Sequence, residues 1–200
     1  MKAKLNNKIK GDCAMNYKYN RDKIVSLGDT QILGLGEIIR YNNRAKIKHE
    51  NVAEHSFYVS TTVLKICEIY EIDDITKLEA LEFAAVHDIP ELLIGDIPYD
   101  TKVNNPELAV AIEEAELTAL KQSIPEYADL YKKFLAGEKN QTVSYLIIKL
   151  ADTASVLQYS NQEIDLGNTT QDMKEINSDA VYRVNNLINR LEEALKENSD

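Results

Sequence analysis

Four side chains in this 200-residue sequence pair metal-ligating chemistry with positions where charge is costly to hold: His55, His87, Asp88 and Asp152. His55 falls in phase with Val59, Val63 and Ile66. His87 follows Phe83 at one helical turn, and Asp88 shares a phase with Leu81 and Ala84. Asp152 sits between Ile148 and Val156 in the most apolar stretch of the chain. An ionised aspartate on such a face costs several kcal/mol unless it is paired or binds a metal. Taken singly, each has a plain structural alternative: a hydrogen-bonded core histidine, or an aspartate paired with a buried Lys or Arg. Taken together, two neutral imidazoles and two carboxylates bring a charge that one divalent cation neutralises. Mixed nitrogen and oxygen donors suit Mn, Co, Fe, Ni or Zn. His49, the third histidine, lies off any apolar stripe and reads as a surface residue.

The elements that must position these groups are helices. No segment shows sustained alternation of apolar and polar residues bounded by turns, so the fold class is all-α, with no sheet expected. Ile32, Leu35 and Ile39 share one helical face. A polar, basic segment follows. Asn51 with Glu54 then resembles a capping box opening a helix that carries Val59, Val63, Ile66 and Tyr70. Asp73–Asp74 starts the next helix, which runs to His87–Asp88. Pro90 breaks the chain after Ile89, Glu91–Ile94 makes a short turn, and Gly95 ends it. Asn105–Pro106 predicts an N-cap and first-turn proline for a helix to about Gln122. Pro125 opens another short one with Tyr127, Leu130, Tyr131 and Phe134 in phase. Residues 141–166 read as a long apolar helix stopped by Gly167. A last amphipathic helix carries Ile176, Ala180, Val184, Leu187 and Leu191.

Composition narrows the partners. With 23 basic against 33 acidic residues the net charge is −10, which argues against nucleic-acid polymers and anionic membranes. No apolar run reaches the roughly 20 residues of a membrane span, and the N-terminus has no apolar signal core. Cys13 and Cys67 lack zinc-ribbon spacing and read as free thiols in a reducing cytoplasm. The expected organisation is a polar N-terminal arm over residues 1–25 and one helical domain over 26–200. Walker and Rossmann glycine patterns are absent, so nucleotide binding by those modes is not expected. Residues 40–48 carry Arg40, Arg44, Lys46 and Lys48 and no acid, a basic island that could attract an anionic substrate or simply be a solvated loop.

The H…HD…D pattern of His55, His87–Asp88 and Asp152 resembles that of HD-domain metal-dependent phosphohydrolases. RYNNRAKIKHENVAEHS (Arg40–Ser56), HDIPELLIGDIP (His87–Pro98) and KLADTASVLQYSNQEIDLGN (Lys149–Asn168) are similar to blocks of the bacterial 5′-deoxynucleotidase branch. The resemblance covers about residues 30–190. It implies a single HD-domain bundle of about six or seven helices, with His55, His87, Asp88 and Asp152 around one divalent ion. It also implies hydrolysis of deoxyribonucleoside 5′-monophosphates by an enzyme acting on a small nucleotide, with a homodimer expected because relatives are commonly dimers; the lack of a span or signal core is what points to the cytoplasm. Glu91 matches the carboxylate near the attacking water. Asp96 matches a residue near the deoxyribose, and Arg40 one that grips phosphate. Tyr41, expected beside the substrate, stands where the branch usually has tryptophan, and the N-terminal arm is longer than the branch requires.

The residues make sense for that chemistry. A guanidinium can bind phosphate through two hydrogen bonds, which favours Arg40. Glu91 follows Asp88 beyond the proline break, where it can face the centre without being a ligand; its structural alternative is a solvated helix-start glutamate. Glu54 reads as a cap, and Lys102 is a looser candidate for phosphate. Two other readings stay open: an HD hydrolase of another nucleotide or phosphate ester, such as guanosine polyphosphates or triphosphates, and a non-enzymatic nucleotide sensor.

Overall fold

The computed structural model describes residues 32–197. The polar arm expected over 1–25, its boundary with 26–200, and Cys13 lie outside the described residues. Every α-helix described below lies within Gly34–Asp200. The all-α expectation holds: the described residues form eight α-helices and no strand. Two of the eight are single turns, so the bundle proper has six. None of the described helices is long and apolar enough to cross a membrane.

A 3-10 turn, Ile32–Glu37, takes the place of the α-helical face expected around Leu35 and Ile39. Helix α1 (Val52–Ile69) opens with the capping box anticipated at Asn51: its side chain accepts the Glu54 amide, and the Glu54 carboxylate accepts the Asn51 amide. Asp73 caps α2 (Asp74–Val86) by accepting the Ile75 and Thr76 amides. Pro90 breaks the chain into α3 (Glu91–Ile94), which ends at Gly95 with φ of 80°. The turn α4 (Tyr99–Val103) was not foreseen. Helix α5 (Pro106–Ser123) has its proline in the first turn. Asn105, expected to cap it, makes no capping bond, and its amide donates instead to the Thr101 carbonyl.

Helix α6 (Pro125–Asn140) runs much longer than the short element expected. Its aromatic residues extend the buried face: Phe134 sits edge-on to Phe83 at 5.7 Å and beside Tyr145. Helices α7 (Val143–Asp165) and α8 (Gln171–Glu197) are separated at Gly167, with φ of 102°. A glycine suits both turns because a side chain strains that left-handed backbone.

The core lies between α1, α2, α7 and α8. Val59, Val63 and Ile66 meet Ala80, Phe83 and Ala84, and both rows pack on Leu146, Ile147, Leu150 and Ala151, with Leu187 and Leu191 closing the far side. Helix α7 is buried on several faces, from Ser144 to Ile148 without interruption. It is therefore the element with least freedom to move, and it carries Asp152.

Candidate active site

His55 lies one turn into α1 and is 1% exposed. Its Nδ1 lies 2.7 Å from the Ser155 hydroxyl on α7. That contact turns Nε2 toward two carboxylates, Asp88 Oδ2 and Asp152 Oδ1, each at 3.3 Å. His87 caps the C-terminus of α2, and its Nδ1 lies 2.9 Å from the Ala84 carbonyl. A carbonyl only accepts, so Nδ1 carries a proton, and in the neutral form of the ring the Nε2 lone pair faces Asp88 Oδ2, 3.2 Å away. Neither Nε2 atom makes a hydrogen bond. Lone pairs facing a carboxylate repel unless a cation lies between them. Imidazoles oriented through their other nitrogen are also the usual arrangement at metal centres.

His55, His87 and Asp88 bring their ligand atoms within 4.8 Å of one another. Asp152 stands beside this group through His55. Its other oxygen accepts from Lys149 Nζ at 3.0 Å, so the structural alternative of a buried cation partner is realised here as well. Burial, and then the Arg40 charge, hold His55 down at about 4, against the pull of the carboxylates. Burial also works against protonation of His87, but Asp88 outweighs it and raises the group. Asp88 and Asp152 stay well below the ordinary range: burial opposes this, and the His87 and Lys149 charges respectively overcome it. The donor set thus holds ionised carboxylates and, at His55, a neutral imidazole, the forms that bind a divalent ion.

Glu91 starts α3, and its Oε2 is buried without a partner. Burial, with the charges of Asp88 and Asp96, pushes it up to about 9. Such a carboxyl holds a proton at neutral pH until a cation nearby lowers it. Burial raises Asp96 too, against the Arg40 charge.

Arg40 and Tyr41 come from a loop whose neck is closed by Arg40 N–H to Glu50 C=O at 2.9 Å and Val52 N–H to Ile38 C=O at 3.0 Å. The loop is pinned to α7. Buried Glu163 accepts the Ile47 and Lys48 amides and the Asn168 side chain, Asn168 also donates to the Ala45 carbonyl, and Tyr159 donates to Lys48 O. Arg40 pairs with Glu50 at 3.4 Å. Tyr41 has φ of 54°, its ring stacks on Tyr159 at 4.4 Å, and its hydroxyl is buried without a partner. The other basic residues are engaged: Arg44 with Asp100 and Asp172, Lys46 with Tyr41 O, and Lys48 with Gln162. His49 is exposed, as expected.

Two cavities divide the candidate residues. One of about 430 Å³ has Arg40, Tyr41, Asp96 and Asp152 in its wall. The other, about 420 Å³, has His87, Asp88, Glu91 and Asp152. His55 lies beneath and lines neither; Tyr99, Lys149, Asp152 and Arg183 line both. Sequence reasoning passed over Lys149, Arg183 and Glu163. Lys149 was visible as a cation one turn before Asp152 in an apolar helix. Glu163 gave no such signal, because two of its three partners are backbone amides more than a hundred residues away in sequence.

A family model described as 5′-deoxynucleotidase YfbR-like matches residues 30–195. A 5′-deoxynucleotidase of Photobacterium profundum is 28% identical over 66% of this chain and 71% of its own length. One of Vibrio atlanticus is also 28% identical, with the same coverage. The crystal structure of an HD-domain phosphohydrolase from Listeria innocua is similar with a TM-score of 0.66 and 27% identity, covering 84% of this chain and 83% of that one. A cyanophage S-2L HD phosphohydrolase, solved with dA and one catalytic Zn2+, shares the fold at a TM-score of 0.59 and 22% identity, over 85% of this chain and 98% of its own.

Proposed function

This chain belongs to the YfbR-like 5′-deoxynucleotidase family, and on that premise we propose that it is a metal-dependent phosphomonoesterase releasing phosphate from deoxyribonucleoside 5′-monophosphates. The observation that carries the reading is the pair of unpartnered Nε2 atoms of His55 and His87 beside two carboxylates. His55, His87, Asp88 and Asp152 would hold one divalent ion, of the Mn, Co, Fe, Ni or Zn class that such donors accept. That ion supplies positive charge to polarise a phosphoryl oxygen and to acidify a water.

The remaining chemistry falls to the chain's own groups. Glu91, buried beside the centre, exchanges a proton with the attacking water or the leaving 5′-oxygen. Arg40 binds phosphoryl oxygens, its fork already oriented by Glu50 and the loop neck. Asp96 and Tyr41 face the sugar from the 430 Å³ cavity, where a 2′-hydroxyl crowds the carboxylate. In this reading the protein works as a cytoplasmic homodimer on free nucleotides. The test is phosphate release from ribo- and deoxyribonucleoside mono- and triphosphates with Mn, Co and Mg. Faster cleavage of deoxyribonucleoside monophosphates is expected. Equal rates on both sugars, or preference for a triphosphate, would move the assignment to another HD hydrolase.

A further inference from the structure

The phosphoryl group of the proposed substrate carries two negative charges, and the donor set around a divalent ion is already neutral. Cations on the protein must balance the rest. Arg44 is taken up by Asp100 and Asp172 and Lys102 by Glu116 at 3.2 Å, while Arg40, paired with Glu50 at 3.4 Å, serves from the loop. Lys149 and Arg183 differ. Among the described residues, Lys149 has a single acceptor, the Asp152 oxygen turned away from His55, and that carboxylate also serves the centre. Two of its three N–H groups stay available. Arg183 pairs with the half-exposed Asp179 at 3.6 Å, and its guanidinium carbon lies 4.1 Å over the Tyr99 ring. Both side chains line both cavities, so they stand where the two meet beside Asp152. Two cations facing a shared cavity with spare donors make a setting that an anion relieves.

We propose, resting on the function assigned above, that Lys149 binds the phosphoryl group directly and that Arg183 supports it as the outer half of the same anion contact. Lys149 thus links substrate to centre: one donor steadies Asp152, and the others meet phosphoryl oxygens. Arg40 approaches from the loop and Lys149 from α7, so the phosphate is gripped by elements of different rigidity.

The experiment uses the full chain loaded with Mn, and compares Lys149→Gln, Lys149→Arg and Arg183→Gln with wild type. Metal content, affinity for inorganic phosphate by calorimetry, and kcat and KM on a deoxyribonucleoside monophosphate are measured. Lys149→Gln should keep its metal and weaken phosphate binding by roughly tenfold or more, the size of one charge-assisted hydrogen bond. Lys149→Arg should recover most of that loss, and Arg183→Gln should weaken phosphate a few-fold. Unchanged phosphate affinity in Lys149→Gln overturns the proposal. So does loss of metal in step with phosphate, because Lys149 would then only hold Asp152. Should Lys149→Gln not fold, unchanged phosphate affinity in Arg183→Gln overturns it instead. A wild type that binds phosphate through these residues yet cleaves no deoxyribonucleotide would refute the substrate reading and leave the contact standing.

Discussion

His55 and Asp152 come from α1 and α7, whose neighbouring turns are buried in the core, whereas Arg40 and Tyr41 come from a loop that hydrogen bonds tie to α7, and Asp96 from the irregular stretch after α3. On the first side, apolar packing sets the position of each functional atom. Moving His55 would disturb Val52 and Val59, both fully buried. On the second, a few buried polar groups do the same work: one carboxylate, Glu163, accepts from three donors and fixes the loop that carries Arg40. The lesson is that one site can have a floor set by the hydrophobic effect and a rim set by directional bonds. Substitutions should therefore separate metal binding and chemistry from substrate affinity.

The largest effects belong to the floor. Asp88→Asn keeps the shape of the side chain and removes the charge that faces both imidazoles. Metal affinity should fall by more than the 10–100-fold typical of an outer-shell partner, and turnover should drop to background. Metal analysis and phosphate release check this together. Glu91→Ala should lower kcat by about 10²–10⁴-fold while the metal stays bound. If Glu91→Ala loses metal, Glu91 belongs to the ligand set and its assigned proton role is wrong.

The same contrast decides what was legible in the sequence. Helical phase pointed to His55 and Asp152 because packing leaves a periodic trace. The caps at Asn51 and Asp73 and the stops at Gly95 and Gly167 were readable for a local reason, since each acts within a few residues. Asp88 was found by phase but lies in the turn after α2, where the chain aims it at His55 and His87. Tyr41 and Asp96 came from resemblance alone, and Arg40 from resemblance together with its place in a basic island. Nothing local marks Glu163, Asn168 and Tyr159 as holders of a loop over a hundred residues earlier. The short turn α4 was missed because its five residues are too few to show a period.

A middle-sized effect should come from the rim. Glu163→Leu leaves the Ile47 and Lys48 amides and the Asn168 side chain without their acceptor. Burying such groups unpaired costs about 1–3 kcal/mol, and chemical denaturation should show a loss in that range. KM should rise with metal content unchanged. Acid should expose the same bond in wild type. Burial raises the Glu163 carboxyl, but the bonds from Asn168, Ile47 and Lys48 outweigh it and hold the group below its ordinary value. Its contribution is therefore complete above the unfolded glutamate range and lost as pH falls through the lowered folded value. Glu163→Gln should flatten that decline. Equal acid sensitivity in both proteins would place the rim's anchor elsewhere.

Arg44→Gln should give the smallest effect, and it sharpens the comparison by testing the outermost tie. Arg44 joins the loop to Asp100 on α4 and Asp172 on α8, and both carboxylates are largely exposed, at 61% and 42%. Exposed pairs of this kind contribute about 0.2–1 kcal/mol, because solvent screens them and two long side chains must be ordered. Removing the guanidinium should cost stability in that range at most and raise KM a few-fold, with kcat and metal content intact. The difference should also fade with salt. At about 1 M the screening length falls to roughly 3 Å, so wild type and variant should converge in KM there. Glu163→Leu should not converge under the same conditions, since its bonds are buried. If Arg44→Gln destabilises as much as Glu163→Leu and resists salt, the rim is held by its surface ion pairs, and buried Glu163 is not what sets Arg40 in place.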